Sequence, residues 1–261
     1  MRSADGTRIG YRRLGSGPAV VLVHGSCSTH TDWMPVAKLL AGHFTCFAMD
    51  RRGRAKSGEG VGPYSIEREQ EDIAAMLAVA KSESGANAAL VAHSYGAACA
   101  LGAAMRSPVP KLVLYEPPLP IGGLIAGENL APYVAAIEEG DLDKALQLGL
   151  ASFPRMSPEA ILALRGSRGW PRLRPLAKSW IRELEAMDAT SPSVEHYRVL
   201  PCPSMLLMGE LSPEHPMLDA SRALAEVLPG VRVEWLPGQG HGAMRAAPQM
   251  IAHLIRDFLA G

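Results

Sequence analysis

Five apolar residues, Ala88-Ala89-Leu90-Val91-Ala92, run straight into His93-Ser94-Tyr95-Gly96-Ala97. A short run apolar on both faces fits a strand covered by helices on each side, and the alanine-rich stretch after Gly96 reads as a helix. Reversing a strand into a helix within about two residues crowds the backbone. The positions two before and two after the central serine must then lack bulk, and they hold Ala92 and Gly96. This is the pattern of a nucleophile elbow, which projects a serine into a pocket at the start of a helix. The pattern alone is short, and an ordinary helix cap would read similarly. Its weight comes from the surrounding chain.

Similar apolar runs occur at 19–23, 44–49, 111–115, 204–208 and 231–236, with helix-like segments between them. Ser65 is positioned to cap a helix carrying Glu67 and Glu69 in its first turn and an apolar face of Ile73, Met76, Leu77 and Ala80. Met250, Ile251, Leu254, Ile255 and Phe258 repeat at helical spacing near the C-terminus. Alternating strands and helices predict an α/β fold with a doubly wound, mostly parallel sheet and an active site at the carboxyl ends of the strands. The alternation stops between 117 and 199, where only helix-like segments occur, at 129–139, 141–153, 158–165 and 173–187. This predicts a helical cap over residues 117–199, inserted into a core formed by residues 1–116 and 200–261. Trp33, Trp170 and Trp180 are candidates to line a substrate pocket, as are the cap aromatics Tyr133, Phe153 and Tyr197.

Twenty-six basic and 26 acidic residues balance to zero formal charge, with no sustained basic block, so nucleic acid is not expected as a partner. No apolar stretch approaches the roughly 18 residues of a membrane span, and the first residues lack a signal core. The expectation is a soluble, cytoplasmic protein, monomer or homodimer, that meets a small molecule and neither nucleic acid nor membrane. Cys27, Cys46, Cys99 and Cys202 lack metal-site spacing, so neither a metal, a disulfide framework nor a cofactor is expected.

After the first core run comes His24-Gly25-Ser26-Cys27-Ser28, a turn able to aim the Ser26 N–H at a developing oxyanion, with the Tyr95 N–H as second donor. His241, in Pro237-Gly238-Gln239-Gly240-His241-Gly242, follows the last strand and is placed to serve Ser94 as general base and then general acid. His30, His43, His93, His196, His215 and His253 lack such a setting and read as surface or packing residues.

Together these motifs resemble the alpha/beta-hydrolase superfamily from about Gly10 to the C-terminus. They are His24-Gly25, Asp50-Arg51-Arg52-Gly53-Arg54 with Ser57-Gly58, the elbow at Ser94, and Gly240-His241. The resemblance implies a triad of serine, acid and histidine in that chain order, the acid holding the imidazole in its working tautomer. Members usually carry an aspartate three residues past the glycine that ends the strand before the last. Here Gly209-Glu210-Leu211-Ser212-Pro213-Glu214 places Ser212 in that slot. Three carboxylates remain as candidates. Glu210 and Glu214 flank the vacant slot. Glu116 ends the run Leu112-Val113-Leu114-Tyr115, one strand over from the elbow, a place similar to that of the acid in some haloalkane dehalogenases and in zearalenone-type lactone hydrolases. A salt bridge from Glu116 to a cap arginine is the structural alternative.

The expected activity is cleavage of a small, mostly apolar carboxylic ester or lactone through an acyl-enzyme on Ser94. The same pocket, with His241 as base, is also compatible with a lyase, cyclase or C–C bond-cleaving enzyme, or with a ligand-binding protein without turnover.

Overall fold

The computed structural model describes residues 1–261. Seven strands form one sheet: β1 (Tyr11–Leu14), β2 (Ala19–Val23), β3 (Thr45–Met49), β4 (Ala89–His93), β5 (Leu112–Tyr115), β6 (Ser204–Gly209) and β7 (Arg232–Leu236). Their spatial order is β1-β3-β2-β4-β5-β6-β7. Every pairing is parallel except β1 with β3. Strands β2 to β6 are buried along their whole length, as parallel strands sandwiched by helices must be. The fold is the expected α/β sheet. Strand β1 escapes a sequence reading because Arg12 and Arg13 break its apolar character at an exposed sheet edge.

Ten helices accompany the sheet. In chain order they are α1 (Met34–Leu40), α2 (Ile66–Ser84), α3 (Tyr95–Ala104), α4 (Leu130–Glu138), α5 (Leu142–Ser152), α6 (Pro158–Arg165), α7 (Trp170–Asp188), α8 (Asp219–Val227), α9 (Ala243–Ala246) and α10 (Pro248–Ala260). One sheet face packs on α2, α3 and α8, the other on α1, α9 and α10. Ser65 precedes α2, but its side chain makes no capping bond; the helix is set instead by its buried face and stopped by Gly85 at φ 79°. Chain direction across the sheet reverses between β2 and β4, so the crevice of a doubly wound sheet opens beyond their carboxyl ends.

Between β5 and β6 the chain forms α4 to α7 and no strand. An aromatic cluster holds this segment together: the rings of Tyr133, Phe153 and Trp180 meet edge to face at 5.2–6.0 Å. Gly149 must lack a side chain, since a Cβ there would lie 2.8 Å from the Tyr133 ring. Trp170 donates its indole N–H to Asp143 Oδ1 at 2.6 Å. Glu183 of α7, fully buried, pairs with Arg51 and Arg54, which are equally buried beyond β3; Arg51 also pairs with Glu69 of α2. A dry ion cluster thus ties the inserted helices to the sheet. Removing one partner from such a cluster leaves an uncompensated buried charge, at a cost of about 3–5 kcal/mol. Glu183→Gln is therefore expected to lower Tm by about 10 °C in a thermal melt. An unchanged Tm would mean that the helices hold their place without these charges.

Candidate active site

Ser94 sits between β4 and α3 with φ 54° and ψ −132°, in the left-handed region that ordinary residues avoid. The turn is as crowded as its sequence implies. A Cβ on Gly96 would lie 2.3 Å from the His24 carbonyl, and one on Gly25 would lie 2.8 Å from Ser94 Cβ. The Ser94 N–H donates to Tyr115 O at 2.9 Å, which locks the elbow to the neighbouring strand. Its hydroxyl bonds to no protein group and faces a cavity of about 680 Å³ that His241 also lines.

Glu116 directly follows β5 and is also left-handed, at φ 47°. Its carboxylate is fully buried. Oε1 accepts the Gly209 N–H at 2.6 Å, and Oε2 accepts the His241 Nδ1–H at 2.6 Å. Glu116 pairs with no arginine. Glu210 lies in solvent and accepts the Gly238 N–H at 2.9 Å. Glu214 is exposed and paired with Arg222. Ser212 is buried, with its hydroxyl unpartnered. With Nδ1–H committed to Glu116, the His241 Nε2 lone pair is left for a proton from another group. No hydrogen bond joins Nε2 to Ser94 Oγ in this structure.

Two residues that sequence reasoning passes over hold His241 in place. Tyr115 donates its hydroxyl to Gly240 O and accepts the Ala243 N–H at 3.1 Å. His93, read from sequence as a surface or packing residue, is buried beside the cavity and donates Nε2–H to the His241 carbonyl at 2.8 Å, its ring centroid 4.4 Å from that of His241. Both lie at the ends of adjacent strands, paired in register. That placement is the only sequence-level signal they carry.

Opposite the elbow, the Ser26 N–H makes no bond within the protein, and neither does the Tyr95 N–H at the first turn of α3. His24 shapes this turn. The Arg51 N–H donates to its Nε2 at 3.1 Å, so Nδ1 carries the proton and donates to Gly25 O at 2.8 Å. The Tyr95 side chain points away from the cavity, stacked under the Arg51 guanidinium and bonded to Tyr64 Oη at 3.0 Å.

Burial holds both His24 and His93 well below the ordinary histidine value of 6.5, helped by Arg51 beside His24 and by His241 beside His93. Folded His24 and His93 stay neutral where the unfolded chain would protonate them. Stability that is intact above pH 6.5 is thus lost as pH falls toward the folded-state values. Between pH 6.5 and 5.5 the two together are expected to cost up to about 2 kcal/mol, lowering Tm by several degrees. Urea melts at the two pH values check this, and a flat profile would contradict it.

Of the three tryptophans singled out from sequence, only Trp180 lines the cavity. Trp33 is buried under the opposite sheet face with α1 and α10, its indole N–H donated to Val23 O at 2.9 Å. Trp170 is turned to Asp143, as described above. Phe153 reaches the cavity, whereas Tyr133 packs behind Phe153 and Trp180, and Tyr197 lies at a separate surface hollow.

Residues 20–254 match the model of the alpha/beta hydrolase family. The chain belongs to that family. The hydrolase is 28% identical over 264 residues to 2-(acetamidomethylene)succinate hydrolase of Mesorhizobium japonicum, an alignment covering 96% of this chain and 91% of the relative. N-formylmaleamate deformylase of Pseudomonas putida is 34% identical over 142 residues, 52% of each chain. An alpha/beta hydrolase from Sphaerobacter thermophilus superposes with a TM-score of 0.86 at 29% identity, covering 99% of both chains. The hydrolase has no helix long and apolar enough to cross a membrane.

Proposed function

We propose that this alpha/beta hydrolase is a serine hydrolase that cleaves a small carboxylic ester or lactone through an acyl-enzyme on Ser94. The observation that carries the reading is the 2.6 Å bond from His241 Nδ1 to buried Glu116, which leaves Nε2 as a base beside the cavity that Ser94 faces. In the proposed reaction His241 Nε2 takes the Ser94 proton as Oγ attacks the substrate carbonyl. The Ser26 and Tyr95 N–H groups hold the oxyanion. Collapse expels the alcohol with the proton from His241; water, deprotonated by His241, then attacks the acyl carbonyl, and His241 returns that proton to Ser94 Oγ as the acid leaves. Glu116 keeps the imidazole in its tautomer and offsets its transient charge, an acid placement similar to that of zearalenone-type lactone hydrolases. The segment 117–199 acts as a cap, supplying Leu146, Leu150, Phe153 and Trp180 to an otherwise polar catalytic floor. Relatives named as a hydrolase and a deformylase support hydrolysis of small acyl compounds.

A fluorophosphonate probe tests the reading. Only a serine beside a base and an oxyanion hole becomes a good nucleophile near neutral pH, so a single adduct on Ser94 is expected in peptide mass spectra. An activated ester should give a burst of one equivalent of alcohol. Labelling spread over other serines, or none at all, would refute the assignment.

A further inference from the structure

The cavity lining contains one acidic and two basic side chains besides its histidines: Asp32, Arg155 and Arg245. Two of them answer each other. Arg245 Nη1 lies 3.7 Å from Asp32 Oδ1, and Asp32 Oδ2 accepts the Ser28 hydroxyl at 2.6 Å. Arg155, exposed to solvent where it lines the cavity, has no counter-ion and no hydrogen-bond partner within the protein. It stands just beyond α5, in a turn closed by the Met156 N–H donating to Leu150 O at 2.9 Å. Its backbone is left-handed, at φ 50°. Glycine adopts that conformation without strain. A turn needed only to redirect the chain would do better with glycine. An arginine there supplies a guanidinium to an apolar wall formed by Leu150, Phe153, Met156 and Leu164.

We propose that Arg155 anchors a carboxylate of the substrate, so that the cavity takes acyl compounds bearing a negative charge remote from the reacting carbonyl. A guanidinium meets a carboxylate with two parallel N–H···O bonds, which fix orientation as well as position. Arg245, already answered by Asp32, contributes less. The inference rests on this cavity being the place of acyl transfer from Ser94.

Two isosteric pairs test it: 4-acetoxybenzoate against 4-acetoxybenzamide, with the charge on the leaving group, and monomethyl adipate against methyl adipamate, with the charge on the acyl group. In at least one pair, kcat/KM for the anion should exceed that for the amide at least about tenfold, the scale of one hydrogen-bonded ion pair. Arg155→Met should cut that ratio by about 10- to 100-fold, and Arg155→Lys should retain part of it. Ratios near one in both pairs, or a ratio lost in Arg245→Met but kept in Arg155→Met, would overturn the proposal. Calorimetric titration of Ser94→Ala with 4-acetoxybenzoate and with monomethyl adipate reads the same anchor without turnover. Weaker binding when Arg155→Met is added supports the anchor even if no ester is cleaved, an outcome that would count against the acyl-enzyme alone. Equal binding, or none of either anion, overturns it.

Discussion

Ser94→Ala is expected to lower kcat on a cleavable ester by about 10⁶-fold, His241→Ala by a comparable factor, and the double variant by hardly more. In the proposed reaction the two side chains perform one act, the removal of a proton as a bond forms. Taking either away removes the whole of it. The residual rate then comes from the Ser26 and Tyr95 N–H groups and from binding, both of which survive in all three variants. Single-turnover measurements with excess enzyme keep product release from hiding the effect. Losses that multiply in the double variant would show that Ser94 and His241 act in separate steps, and undiminished turnover in Ser94→Ala would remove the acyl-enzyme altogether.

The second large effect concerns the acid. Glu116→Gln preserves shape and the bond from the Gly209 N–H, yet the amide can present its NH₂ to His241 and so favour the imidazole tautomer with its proton on Nε2. It also removes the charge opposite the imidazolium. A fall in kcat of about 10³- to 10⁴-fold is expected. Glu210→Gln and Glu214→Gln should change kcat less than about threefold, since one side chain caps a turn in solvent and the other is engaged by Arg222, where single charges carry little energy. Relocation makes the test sharper. On a Glu116→Ala background, Ser212→Asp places a carboxylate just past β6, at a buried position whose present hydroxyl has no partner. Partial recovery of kcat is the expected result. Full activity in Glu116→Gln would remove Glu116 from the reaction and leave Ser94 and His241 standing.

Much of the architecture lay open in the sequence because it depends on local pattern. Strands β2 to β6 announce themselves as short runs apolar on both faces, and α4 to α7 as helical spacings uninterrupted by any such run. The elbow was legible for a related reason: crowding at Ser94 acts on residues two positions away, within reach of a motif. What escaped depends on contacts between distant residues. Three carboxylates were open by sequence, and the bond that distinguishes Glu116 from Glu210 and Glu214 joins residues 125 apart. His93 and Tyr115 steady the His241 loop across gaps of similar size, and no spacing rule reports that. Trp33 and Trp170 misled because an indole is equally suited to a pocket wall and to a core, and only the partner of its N–H tells which. Arg155 drew no notice because a left-handed arginine looks like any other arginine until its backbone is seen.

The carboxylate that meets His241 is held by the sheet rather than by a loop. The Ser94 N–H bonds to the carbonyl of Tyr115, the residue before Glu116, and the Glu116 N–H bonds to Leu207 O in β6. Serine and carboxylate are thus spaced by the ladder of adjacent strands. The chain after β6 presents no carboxylate to His241, and its Leu211, Pro213, Pro216 and Met217 form part of the cavity wall. Such a division of labour leaves the stretch from 211 to 218 free to drift. Changes in its length or bulk could reshape what the cavity admits while the spacing of serine and carboxylate stays as the strands set it, so new substrates would be reached by remodelling a wall and not by rebuilding the machinery behind it.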